Sequence, residues 1–257
     1  MRVFLTVLLL ILTIPIFANW SVTGDLTHYD VVNPGQKLSK SITISNHSEE
    51  NLTLIIKQAD YAFNSEGNIW FVEAGKLTRS NASWISFSSQ EINILPNSQI
   101  IFSYNVKIPD NDDLNGSYWS LILIQEGKIE NLNPSQKDLN LQINQRYAIQ
   151  SIQQIGNTGH FDIQFLDAEY QKKNNELHLT VKNNGERWTN PGVWVELYDS
   201  EGNKTGKFYA KSHKLYPQTS FTYKIPLIPL TQKKYYVITV VDCGENKVFG
   251  SQYTIEN

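Results

Sequence analysis

Apolar and polar residues alternate with a period of two along most of this chain, and no segment longer than about two helical turns keeps a helical apolar period. Alternation of this kind marks half-buried strands, because successive side chains on a strand point to opposite faces. It recurs at 40–45 (KSITIS), 51–57 (NLTLIIK), 99–108 (QIIFSYNVKI), 116–125 (GSYWSLILIQ) and 139–149 (LNLQINQRYAI). Turn-forming residues separate the runs: Asn33-Pro34-Gly35, Glu66-Gly67-Asn68, Pro96-Asn97-Ser98 and Pro109-Asp110-Asn111. A polar interval at 153–160 (QQIGNTGH) interrupts the pattern, and a second series follows at 161–170, 176–182, 193–198, 220–225, 235–241 and 247–255. The spacing predicts an all-β protein of two tandem immunoglobulin-like β-sandwich domains, 19–152 and 158–257, with a linker at 153–157.

Ahead of the strands, residues 1–18 (MRVFLTVLLLILTIPIFA) place Arg2 before an apolar run from Val3 to Ile14, then Pro15 and the small residue Ala18. This is the layout of a secretory signal peptide, with cleavage expected after about Ala18. The run is short for a hydrocarbon layer of ~30 Å, and no later stretch approaches the ~20 apolar residues of a span. The expected mature chain is periplasmic or secreted, without a membrane anchor. The formal net charge of −3 comes with no basic run, which makes nucleic acid a poor partner. A single cysteine, Cys243, rules out an internal disulfide or a multi-thiolate metal site within one chain.

Candidate chemistry is sparse. The five histidines (His28, His47, His160, His178, His213) form no metal-ligand spacing, and no GxSxG, GxxxxGK[ST] or GxGxxG motif occurs. Asp110, Asp112 and Asp113 lack the spacing and the distal glutamate of an EF-hand. The expectation is a non-enzymatic protein without a cofactor. Aromatic content is more informative, with six tryptophans and 13 tyrosines. Trp70, Trp84, Trp119 and Trp188 read either as core and interdomain packing or as a surface that stacks on sugar rings. Trp188 and Trp194, around Asn190-Pro191-Gly192, form the best candidate platform.

The 139–149 run is the most distinctive strand. Leu139, Leu141, Ile143, Tyr147 and Ile149 share one face, and Asn140, Gln142, Asn144, Arg146 and Gln150 share the other. A polar loop at 127–137 precedes it. The strand reads either as the last strand of the first domain or as an edge that accepts another chain by strand pairing. Under the second reading Leu139, Leu141 and Ile143 are the ligand-binding residues, with Arg146 as a charge anchor.

With these segments in view, the first domain resembles the amino-terminal domain of periplasmic pilus-assembly (PapD-like) chaperones. The likeness runs through Asn33-Pro34-Gly35-Gln36 with SITISNHSEENLTLII, WISFSSQEINILPNSQIIFSYNVKIP, GSYWSLILIQE and LNLQINQRYAIQ. The resemblance implies a two-domain periplasmic protein that donates its last domain-one strand to a pilus or surface subunit. It also implies two cleft cations for the subunit's terminal carboxylate. Leu139, Leu141, Ile143 and Arg146 match the donor pattern. Ala148 stands where the anchoring lysine belongs, and WSVTGDLTHYDVV holds no basic residue. The first domain also resembles the peptidoglycan-binding domain of WxL-interacting surface proteins, through DYAFNSEGNI and WISFSS. The preferred expectation is an exported protein- or peptide-binding chaperone of surface-structure biogenesis. The alternative is an envelope-structural module that binds cell-wall glycan.

Overall fold

The computed structural model describes residues 19–127 and 145–256. Ten strands build the first sandwich: β1 (Trp20–Thr23), β2 (Thr27–Val32), β3 (Lys37–Asn46), β4 (Leu52–Phe63), β5 (Ile69–Glu73), β6 (Ile85–Phe87), β7 (Glu91–Ile94), β8 (Gln99–Lys107), β9 (Gly116–Glu126) and β10 (Arg146–Ile155). Seven build the second: β11 (Ile163–Gln171), β12 (Glu176–Asn183), β13 (Gly192–Tyr198), β14 (Lys204–Tyr209), β15 (Ser220–Pro226), β16 (Lys234–Asp242) and β17 (Val248–Glu256). The fold is the expected pair of immunoglobulin-like sandwiches.

In the first sandwich a four-stranded sheet, β1-β3-β8-β6, faces a six-stranded one, β2-β10-β9-β4-β5 with β7 also on β4. Ile42, Ile44, Tyr104 and Val106 from the smaller sheet meet Leu54, Ile56, Ile122, Ile124 and Ile149 from the larger. In the second, β11-β12-β15 packs on β14-β13-β16-β17. Leu177, Leu179, Val181 and Tyr223 there meet Val193, Val195, Leu197 and Val237.

Strand β9 departs from simple alternation, because it is buried on both faces. Ile122 and Ile124 point into the first core, while Trp119, Leu121 and Leu123 point the other way into a separate cluster with Ala59, Tyr61 and Ile152. Tyr216 of the second sandwich belongs to that cluster, and Trp188 packs against it. The near-continuous apolar run SYWSLILI is therefore the sequence signature of a strand covered on both sides. Tyr118 and Trp119, on opposite faces, are both covered: Tyr118 lies 4.8 Å from the Trp84 ring, and Trp119 lies 4.9 Å from Tyr216.

One expected boundary moves. The strand read at 139–149 is, in its described part, β10 from Arg146 to Ile155, so it runs into the interval expected to be linker. The reason is that two polar residues there are buried with their side chains hydrogen-bonded. Gln153 receives the Asn81 amide and donates to Ser151 Oγ at 3.2 Å. Gln154 accepts from Ser117 Oγ at 2.7 Å and donates to the Thr158 carbonyl at 2.9 Å. A polar pair in sequence looked like loop, whereas its hydrogen bonds let it sit inside a sheet.

Backbone contacts also tie the sandwiches together. Ser117 N–H donates to the Glu186 carbonyl at 2.8 Å, and Thr222 N–H to the Ser65 carbonyl at 2.6 Å. Gly116 makes the first contact feasible. Its φ is +67°, and an added Cβ would lie 2.3 Å from the Glu186 carbonyl oxygen. Gly75 also has positive φ, +82°, but an added Cβ there meets nothing within 4 Å. Gly116→Ala is expected to cost about 2–4 kcal/mol and Gly75→Ala about 1 kcal/mol in urea unfolding. Equal losses would contradict the close approach at Gly116.

Candidate functional site: an open strand edge beside an interdomain cation

Strand β10 pairs with β9 antiparallel along its whole length, Arg146 to Ile155. On its other side it pairs with β2, parallel, only from Gln150 to Ile155. The Gln150 N–H donates to the Leu26 carbonyl at 2.8 Å, which fixes the side to which this residue's backbone points. Backbone groups alternate sides along a strand, so Ala148 and Arg146 turn their N–H and C=O the same way. Among the described residues no strand pairs with them there. Such an unpaired row is a template for another chain.

The face of β10 that carries Arg146, Ala148 and Gln150 is the face turned toward the second sandwich. Ala148 packs on the Trp119–Leu121–Leu123 cluster. The Arg146 guanidinium lies 5.7 Å over the Phe71 ring of β5. Leu139, Leu141 and Ile143 lie outside the described residues, so of the expected binding residues Arg146 alone is placed.

Where β2 ends its pairing, the second sandwich delivers a cation. Lys214 Nζ donates to Gln150 Oε1 at 2.6 Å and to Thr27 Oγ1 at 2.8 Å. Tyr216 Oη donates to the same Gln150 oxygen at 3.3 Å. No carboxylate of the described residues forms an ion pair with Lys214, and partial burial lowers its pKa from the usual lysine value. It lines a hollow of about 390 Å³ with Phe63, Ile69, Gln150, His213 and Tyr216. Two neutral acceptors orient the ammonium group without neutralising it, which leaves a desolvated positive charge suited to an incoming anion.

Sequence reasoning missed Lys214. Position 148, where the resemblance implied a cation, is an alanine, and Lys214 reaches the same strand from the other domain. The only signal was a lysine standing between His213 and Leu215, ahead of the Tyr216-Pro217 turn.

The aromatic platform expected for glycans does not form. Trp84 and Trp119 are buried, with 8% and 4% of their surface exposed. Trp188 packs edge-on to Tyr29 at 5.1 Å and near-parallel to Tyr216 at 6.1 Å. Trp194 lies instead with Tyr209, under Lys207. Only Trp70 of the four candidates is exposed, on the edge strand β5. Cys243 is a packed thiol, pushed up to about 11 mainly by burial, and so a poor nucleophile at neutral pH. Among the described residues no three metal-ligating side chains gather.

No family model matches the sequence, and no curated protein matches it either. Solved structures do. A chain from a chaperone–tip adhesin complex of CFA/I fimbriae biogenesis matches with a TM-score of 0.54 at 13% identity, covering 93% of this chain and 100% of that one. The class 5 fimbriae chaperone CfaA matches with a TM-score of 0.50 at 13% identity, covering 91% and 98%. The fold is that of PapD-like fimbrial chaperones.

Two histidines bear on stability. Burial, then Lys40, lowers the pKa of His28, whose Nδ1 lies 2.5 Å from Tyr104 Oη. Burial also lowers that of His213, which stacks on Phe221 at 3.6 Å. Both are held neutral in the fold, so the unfolded chain binds protons first as pH falls below 6.5. Their stabilisation is complete above 6.5 and is lost as pH drops through the lowered folded values. Urea midpoints measured downward from neutral pH are expected to fall, and His28→Gln should flatten that dependence at some cost in overall stability. An unchanged slope in the variant would contradict the assignment.

Proposed function

We propose that this chain is an exported, non-enzymatic chaperone that captures a β-rich surface subunit by strand pairing along the open edge of β10. Lys214 then holds the subunit's terminal carboxylate. The observation that carries this reading is that β2 stops pairing at Gln150, where an uncompensated cation is fixed, while β10 continues to Arg146. The fold shared with fimbrial chaperones supports the partner class. For Leu139, Leu141 and Ile143 the reading rests on their alternation in sequence.

The placement of the cation sets the polarity of capture. β10 runs from Arg146 toward Gln150, and Lys214 stands at the Gln150 end. A partner strand whose carboxyl terminus meets Lys214 must therefore run parallel to β10. It lies in line with β2 and ends where β2 begins. Arg146 and Ala148 supply backbone pairing along the side of β10 that faces away from β9. No reacting group is required, since burial and backbone hydrogen bonds provide the affinity.

Two substitutions separate the parts. Ala148→Pro removes an N–H that faces the open side, a change edge strands tolerate. Lys214→Gln removes the charge while keeping a hydrogen-bonding side chain. A charge-assisted bond to a carboxylate is worth about 1.5–3 kcal/mol, so Lys214→Gln should weaken capture by about tenfold or more. The measurement is co-purification of a small β-rich subunit with residues 19–257 from the native envelope. The wild type is expected to carry it in stoichiometric amount, and each variant to lose it while unfolding at the wild-type urea midpoint. Retention of the subunit by both variants would overturn the reading.

A further inference from the structure

Strand β5 forms an edge of the six-stranded sheet, at the end opposite β2. It reads Ile69-Trp70-Phe71-Val72-Glu73, and Ile69, Trp70 and Phe71 are 60%, 48% and 44% exposed. Among the described residues only β4 pairs with it. We propose that β5 is the contact by which two copies of this chain pair, edge to edge and antiparallel, into a two-fold dimer. This pairing goes beyond strand capture and does not depend on it, since β4 and β9 separate β5 from β10.

The hairpin that makes β5 fixes which way its backbone points. Asn64 N–H donates to the Asn68 carbonyl at 3.2 Å, and Gly67 N–H to the Asn64 carbonyl at 3.1 Å. Asn64 and Asn68 are thus a hydrogen-bonded pair, and in the same register so are Ala62 with Trp70 and Asp60 with Val72. The alternation turns the N–H and C=O of Ile69, Phe71 and Glu73 outward, away from β4.

An outward set centred on Phe71 is self-complementary. A second β5 laid antiparallel about a two-fold axis at Phe71 sets Phe71 against Phe71 and, on each side of it, Ile69 against Glu73. Every outward N–H and C=O of the strand then faces a mate. An axis at Trp70 or Val72 would leave Glu73 or Ile69 without one in the strand. The side chains fit the same register. Trp70 falls against Val72 of the other copy, large against small, in the closely spaced pairs. Glu73 is the one charge in β5, and it falls against Ile69 rather than against its own copy. The same two-fold count sets Glu66, in the turn before β5, towards Lys76 of the other copy, in the turn after it. Lys76 stands ready there in an exposed ion pair with Glu73 at 3.3 Å. Charge and register therefore select a second copy as the partner.

Other edges of the molecule are guarded. β11 carries Asp167 and Glu169, with a register shift between Phe165 and Asp167. β14 carries Lys204 and Lys207, and β15 carries Lys224 and ends on Pro226. β1 and β6 are only four and three residues long. β5 has no lysine, proline or register shift. An apolar edge without these devices is a template for another strand.

Ile69 and Phe71 share a face with Tyr61 and Phe63, whereas Trp70 and Val72 point the other way. Substitutions at Trp70 and Val72 therefore leave Arg146 and the interdomain cluster untouched. Small interfaces of this kind dissociate on the order of micromolar, so the test is sedimentation velocity of the whole mature chain from about 1 to about 200 µM. The wild type is expected to pass from monomer to dimer across this range, and the Phe71 amide to gain hydrogen-exchange protection as it does. Trp70→Lys and Val72→Glu should each raise the dissociation constant about tenfold or more. The double variant Trp70→Lys/Val72→Glu sets opposite charges across each cross-copy pair and should recover most of that loss. Lys214→Gln, which removes the proposed carboxylate anchor, should leave dimerisation unchanged. A chain that stays monomeric throughout, an association indifferent to Trp70→Lys, or a double variant no better than the singles would overturn the proposal. So would a monomer whose Phe71 amide is already protected, because the edge would then be paired within the chain.

Discussion

Everything distinctive about this molecule depends on how Tyr216 seats one sandwich on the other. Its ring meets Tyr61 and Phe63 edge-on at 5.4 and 5.5 Å, and it lies against Trp119 and Trp188 at 4.9 and 6.1 Å. Aromatic contacts of this kind add about 1 kcal/mol each beyond the area they bury. Tyr216 is 2% exposed, so the outer face of β9 is core on that side, not surface. Two residues before the ring, Lys214 reaches the Gln150–Thr27 pair, where β2 and β10 begin to run together. Clamp and cation are neighbours in sequence, so the interdomain packing and the site cannot be built independently.

The same contact explains the limited coverage of β10. A fully paired sheet needs no cation at its margin, and a fully open strand invites aggregation. Here a parallel neighbour covers Gln150 to Ile155 and leaves Arg146 to Ile149 without a described partner on that side. Among the described residues the unpaired backbone on this side is a short stretch. Lys214 and Arg146 flank it, so an incoming chain meets charge at both of its ends. Desolvation makes Lys214 a stronger partner for an anion than a solvated surface lysine, whose ion pairs contribute little.

Much of the fold was legible in the alternation. The runs at 99–108, 176–182 and 235–241 correspond to β8, β12 and β16 within a residue or two, because each has one face in a core. What escaped the pattern were strands that carry polar residues inward. β2 (THYDVV) buries His28, which is satisfied by Tyr104. β4 continues past Lys57 to Phe63 because Gln58 bonds the Ile85 carbonyl at 2.8 Å and Asp60 bonds the loop after β5. The candidate site was half legible. Arg146 lies on the strand and face that alternation assigned to it. Lys214 was not legible, because a cation from the other sandwich leaves no local pattern and only packing brings it to β10.

The most direct measurement is amide hydrogen exchange on the free protein, residue by residue along β10. Gln150 and Ile152 are held between two strands, whereas the Arg146 and Ala148 amides face the open side. The account predicts strong protection at 150 and 152 and fast exchange at 146 and 148. It also predicts slow exchange at 147 and 149, whose amides turn toward β9. Protection at 146 and 148 equal to that at Gln150 would mean that the edge is already occupied, and strand capture there would be contradicted.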